Sequence, residues 1–225
     1  MPILRARAAE YDSINGDKGV VPAFHLVYGT AHPNGSYGLL SDATVMEYIR
    51  VAEAQGMVVI LDHQMGNASI ESIMADMLAY AHYPSVHFAL DPEYHTARPG
   101  SVIGSVTGFE VNRAQQLLQE YMEQQGISGK KMLMLHQFTD TMVTSRGVIH
   151  ADFSHVDLVH DADGFGSPPV KRGEYAQNAQ ATNIPLKGFK IFLPSSTRTW
   201  GIDNPVMTPQ EVLDLDPQPV AIIYQ

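Results

Sequence analysis

The sequence predicts an α/β chain wound into a single (β/α) barrel, distorted or incomplete, with seven to eight parallel strands. Three observations lead there. Short apolar runs alternate with stretches of helical periodicity seven times over, which implies a parallel sheet with right-handed crossovers. Nearly every run ends on its C-terminal side in polar residues, the arrangement of an enzyme mouth on a barrel. At 225 residues with 44% hydrophobic content, the chain is long enough for one large core, and nothing in it requires two domains. Residues 21–225 read as that domain and residues 1–20 as a lead-in segment.

The elements follow in order. The cluster Asn15-Gly16-Asp17-Lys18-Gly19 is a turn. Val20 to Tyr28 is the first strand and contains His25. The loop from Gly29 to Gly38 is rich in Gly, Pro and Asn. Ser41 or Asp42 then caps a helix that Gln55-Gly56 stops. Met57 to Leu61 is a strand ending in Asp62-His63-Gln64, and Ile70 to His82 carries Ile73, Met74, Met77, Leu78 and Ala81 at helical spacing.

The run Val86-His87-Phe88-Ala89-Leu90 ends in Asp91-Pro92-Glu93. If extension continues through Pro92, Asp91 and Glu93 share a face. Residues 92–108 form a long connection of the kind that is functional or mobile. Phe109 to Gln125 is a helix, Lys131 to Leu135 a strand ending in His136-Gln137, and Asp140 to Arg146 a short helix. Val156 to Val159 is followed by His160-Asp161-Ala162-Asp163, a Gly/Pro loop and a polar helix near 172–181. Phe189 to Leu193 is the sixth strand. The loop from Pro194 to Met207 holds Trp200, and Thr208-Pro209-Gln210-Glu211 is a capping box ahead of a short helix to Leu215. Val220 to Tyr224 is the last strand.

Composition removes several function classes. With 14 Lys+Arg against 24 Asp+Glu, a net charge of -10 opposes nucleic-acid and anionic-membrane surfaces. The absence of Cys rules out disulfides, thiolate metal sites and a Cys nucleophile. No run approaches the ~18 apolar residues of a membrane span, and Met1 to Arg7 is too polar for a signal peptide. There is no Gly-x-Ser-x-Gly elbow, phosphate loop or dinucleotide fingerprint.

The chemistry is expected at the strand ends. Two nearby carboxyl groups push their proton affinities apart, so one holds a proton while the other stays ionised. Glycosidases require that division. Glu93 is therefore the candidate proton donor, with Asp91 and Asp62 as supporting carboxylates; solvation of Glu93 and loop capping by Asp91 are the plainer alternatives. Gln64, His136, Gln137, Asp163, Lys190, Trp200 and Tyr224 are candidates for binding substrate. A buried Lys190 would demand a carboxylate partner, and Tyr28, Tyr94, Phe138, Phe165 and Trp200 offer flat faces for sugar rings. No cofactor is expected in this reading. The same donors, Asp62, Asp91, Glu93, His136, His160 and Asp163, also suit Zn, Mn or Mg, although neither a His-x-His pair nor His-Glu-x-x-His is present.

The ordered series Leu61-Asp62-His63-Gln64, Ala89-Leu90-Asp91-Pro92-Glu93, Glu110-Val111-Asn112, Leu135-His136-Gln137-Phe138, Asp161-Ala162-Asp163-Gly164 and Tyr224-Gln225 resembles a group of uncharacterised actinobacterial-type proteins. These are mostly secreted or lipid-anchored and are expected to form glycosidase-like α/β barrels. The resemblance runs from about Val21 to Gln225 and brings no established reaction with it. It implies an extracellular location, any leader lying outside this sequence. The Asp-x-Glu ending is also similar to barrel lysozymes and chitinases, an analogy in which Glu93 is the general acid and Asp91 orients the substrate. His25 stands where the group would be expected to carry an acid.

Three functions are therefore open: a glycoside hydrolase-like enzyme acting on a polysaccharide or glycoconjugate, a metal-dependent ester or phosphoester hydrolase, and a carbohydrate-binding barrel without catalysis.

Overall fold

The structure, a computed structural model, describes residues 2–196 and 199–225. Thr197 and Arg198 of the expected Trp200 loop, and Met1, lie outside the described residues. The chain runs α1 (Pro2–Asp12), β1 (Ala23–Ala31), β2 (Tyr37–Leu39), α2 (Asp42–Gln55), β3 (Val58–His63), α3 (Ile70–Leu78), β4 (Val86–Leu90), β5 (Val106–Thr107), α4 (Gly108–Gln125), β6 (Lys131–Gln137), β7 (Val143–Thr144), β8 (Val156–Ala162), α5 (Pro168–Ala179), β9 (Leu186–Ile191), α6 (Pro209–Leu213) and β10 (Ala221–Tyr224).

Eight strands form one curled sheet in the order β10-β9-β8-β6-β4-β3-β1-β2. The seven expected strands are all present and pair parallel with one another. The eighth is not another parallel strand. It is β2, which folds back antiparallel on β1 through the His32–Ser36 turn. The sheet therefore stops at a half-barrel: no pairing joins β10 to β1 or β2 among the described residues. A closed barrel needs its two edge strands to pair with each other, and here β10 and β2 remain separate edges among the described residues.

The two faces of the sheet differ in kind. On the convex face Leu61, Phe88, Leu90, Leu133, Leu135 and Leu158 pack with Ile49, Ile73, Met77, Leu118 and Met122 of α2, α3 and α4. A second cluster joins Phe189 and Ile191 of β9 to Tyr175, Val212 and Tyr11. On the concave face Ile60, Ala89, Met134, Val159 and Ile223 form a small cluster to which no helix contributes. Strand alternation places every second residue on each face, so one face is capped by helices and the other is left as a trough.

The N-terminal segment, expected as turn and lead-in, contains the helix α1, which spans the open seam. Arg5 donates to the Gln55 side chain at the end of α2 (2.6 Å), while Tyr11 and Tyr224 of β10 share a hydroxyl hydrogen bond of 2.7 Å. Two further expectations change. The short helix over 140–146 is replaced by two 3-10 turns flanking β7, which pairs with β5 from the long connection. Thr107 and Glu110 form a capping box that starts α4 at the end of that connection. No helix among the described residues is long and apolar enough to cross a membrane.

Candidate functional site

Parity and register assemble the site. Across the concave face Asp62 pairs with Ala89, Ala89 with Met134, His136 with Asp161, Asp161 with Gly188, and Lys190 with Ile223. Paired residues of parallel strands point the same way, so Asp62, His136, Asp161 and Lys190 share the trough. Just beyond the strand ends, Asp91 and Asp163 continue the same parity. The trough has a volume of about 1540 Å³, and its lining includes His25, Asp62, Asp91, Glu93, Asp163, Lys190 and Trp200.

His136 is the centre of this group and is fully buried. Its Nδ1 lies 2.9 Å from Asp161 Oδ2 and 3.7 Å from Asp163 Oδ2, and its Nε2 lies 3.7 Å from Asp62 Oδ2. Burial alone would depress its proton affinity. Asp62, Asp163 and Asp161 outweigh burial and carry it up to about 10. Gly188 makes room for this arrangement: a Cβ there would sit 2.5 Å from Asp161 Oδ1. Lys190 has the carboxylate partner that the sequence demanded, with Nζ 2.8 Å from Asp163 Oδ1. Its proton is held more tightly than usual because Asp163, Asp91 and Asp62 outweigh the opposing effect of burial.

The Asp91-Pro92-Glu93 segment does not remain extended. Pro92–Tyr94 is a 3-10 turn, and Asp91 caps it by accepting the Glu93 N–H at 3.2 Å. Proline favours such a turn start, so strand alternation does not govern the two acids; both nevertheless reach the trough. Burial, then Asp62, pushes Asp91 well above the ordinary carboxylate range. Burial, then Asp163, raises Glu93 while Lys190 and His136 pull it down.

The remaining candidates separate by face. Gln64 lines the trough and accepts the Ala31 N–H at 3.0 Å. Trp200 is 80% exposed at the mouth, edge-on to Phe165, which in turn meets Phe192. Gln137 points away from the trough: it is buried, donates to Thr139 O and meets His160 Nε2 at 2.7 Å. Being one residue beyond His136 on a strand, it must face the helices. Tyr224, by contrast, is part of the trough lining on its α1 side, with its hydroxyl on Tyr11 and Arg7 over its ring. Among the metal-donor candidates His160 also lies on the helix face, so it is removed from Asp62 and Asp163.

Four residues outside the expected set belong to the arrangement. Asp161 orients His136, and His25 approaches Asp62 Oδ2 at 3.4 Å. Lys171 of α5 is buried and donates to the carbonyls of Gly164 and Lys190, which fixes the backbone beside Asp163 and Lys190. Glu174 accepts the Gly164 N–H at 2.6 Å; burial pushes it up to about 7 against the pull of Lys171. Asp161 shares parity with Asp163, a signal readable in sequence. The helix residues carry no such signal.

Compared with known proteins, the chain matches no family model and no curated protein.

Proposed function

We propose that the C-terminal mouth of the trough hydrolyses a polysaccharide or glycoconjugate, with Glu93 as the proton donor. The observation that carries this reading is the state of Glu93. It is half-buried, reaches the trough, and has its proton affinity raised by burial and by Asp163. A general acid must hold a proton near working pH and still reach solvent-borne substrate. Glu93 delivers that proton to the leaving glycosidic oxygen. Asp91, which keeps its proton, helps to orient the sugar, and Asp62 offsets the positive charge that develops on its ring. Asp163 and Lys190 form a fixed ion pair that presents further hydrogen-bonding groups. Phe165 and Trp200 supply apolar faces at the rim, as the CH surfaces of a sugar require.

The test is release of reducing ends from a panel of polysaccharides and glycoconjugates by wild type and Glu93→Gln. Loss of the proton donor should lower turnover about 10²–10⁴-fold with an unchanged melting temperature. Activity of the wild type should fall on the alkaline side at a pH above the ordinary carboxylate range, as Glu93 loses its proton. Wild-type turnover in Glu93→Gln, or no release from any member of the panel, would sink the reading.

A further inference from the structure

We propose that His25, Asp62 and His136 form a binding site for one divalent transition-metal ion, best matched to Zn²⁺, on the floor of the trough. Three independent features converge on it.

The first is spacing. Asp62 Oδ2 lies 3.4 Å from His25 Nε2 and 3.7 Å from His136 Nε2, and the donor atoms of the three residues lie within 4.8 Å of one another. These separations are long for hydrogen bonds. A tetrahedral ion with bonds of about 2.0–2.1 Å places neighbouring donors roughly 3.3 Å apart, close to the shorter separations here. Two imidazoles and one carboxylate are a donor set suited to zinc, with a fourth position left open.

The second is unsatisfied polarity. The side chains of Asp62 and His136 are 4% and 0% exposed, yet among the described residues Asp62 Oδ1 and His136 Nε2 have no hydrogen-bond partner, and His25 Nε2 has none either. Buried polar atoms without partners are rare and costly. The two unpartnered imidazole nitrogens both approach the other oxygen of that carboxylate, Asp62 Oδ2, at 3.4 and 3.7 Å.

The third is support behind a ligand. His136 Nδ1 is held by Asp161 at 2.9 Å, which turns Nε2 toward Asp62. A carboxylate behind a metal-binding imidazole fixes both its tautomer and its direction. This also decides between the two overlapping donor groups around His136: with Nδ1 engaged by Asp161, the trio His136, Asp161 and Asp163 acts as an orienting network, and Nε2 is left for the ion. The open coordination position faces the trough, where His25, Asp62 and Asp91 are part of the lining. It could take a water or a substrate oxygen.

This inference does not rest on glycan hydrolysis, because uptake is read without substrate. Tag-free protein is stripped with chelator and dialysed. Zn²⁺ binding is then measured by calorimetry and elemental analysis, with the visible spectrum of the Co²⁺ form reporting coordination. Wild type should bind one ion per chain with a tetrahedral Co²⁺ spectrum. His25→Ala and Asp62→Asn should lose that ion, and Asp161→Asn should bind about 10–100-fold more weakly. Glu93→Gln should bind as wild type does, so loss of hydrolysis and loss of metal are separable. His25 is the partly exposed member; its variant should keep the wild-type melting curve in chelator, which guards against a folding artefact. Absence of a stoichiometric ion in wild type, or wild-type binding by both ligand variants, would overturn the proposal.

Discussion

His136 and His160 sit on hydrogen-bonded neighbouring strands, one residue apart in register, and neither is exposed to solvent. Their chemistry is opposite. On the trough face, three carboxylates carry His136 up to about 10 despite burial. On the helix face burial dominates, with Lys187 and Arg146 adding to it, and His160 is pushed down to about 3. Burial does not determine what a buried histidine does. The charges it is buried with determine it, and in this fold they are sorted by strand parity. The convex face concentrates hydrocarbon and supplies stability; the concave face concentrates ionisable groups.

That contrast can be broken by exchanging the cost of substitutions on the two faces. Phe88→Ala, fully buried in the helix-face cluster, should give the largest stability loss, about 3–5 kcal/mol in urea unfolding. Glu93→Gln, on the trough side, should stay within about 0.5 kcal/mol of wild type. Similar losses for the two would mean that the trough is part of the core. Next in size is Gly188→Ala. Its methyl group collides with Asp161 in a filled space, so it should cost about 1–3 kcal/mol and loosen zinc binding together with stability. A neutral result would mean that Asp161 does not need its present position.

The seam between the faces allows a finer test. Tyr11→Phe removes the hydroxyl bond from α1 to β10 and should cost about 0.5–1.5 kcal/mol without altering metal uptake. The smallest effect is pH-dependent. Glu174 has its affinity raised from 4.5 to about 7 by burial, so the folded state binds its proton more tightly than the unfolded state does. Its stabilising contribution is complete below about 4.5 and is lost as pH rises through about 7. Glu174→Gln should remove that slope, so wild type should lose stability relative to the variant across the window. Parallel curves would show that Glu174 titrates normally.

Much of this was legible from residue order. The parallel strands, α2, α3 and α4, and the cap at Thr208 follow from periodicity and capping chemistry, which act over a few residues. So does the gathering of Asp62, Asp91, His136, Asp163 and Lys190 at strand ends. Gln137 lies at a strand end but on the opposite parity from His136 and so faces the helices, whereas Tyr224 lines the trough on its α1 side. The turn at Pro92 is set locally by Asp91 and the proline, whereas β7 between its two 3-10 turns is set by pairing with the distant β5, which a local pattern does not contain.

By itself the sequence determined which side chains stand at the ends of which strands and which of them share a face, because alternation is a local property of extended chain. The tertiary structure alone decided which of them meet. His25 and His136 belong to β1 and β6, with β3 and β4 between them. In a flat sheet three strand spacings would separate the two strands by about 14 Å. Their rings are 5.6 Å apart, because the curled sheet turns long side chains inward across the trough. That curl, and the separation of the edge strands β10 and β2, depend on twist and pairing summed over the whole sheet.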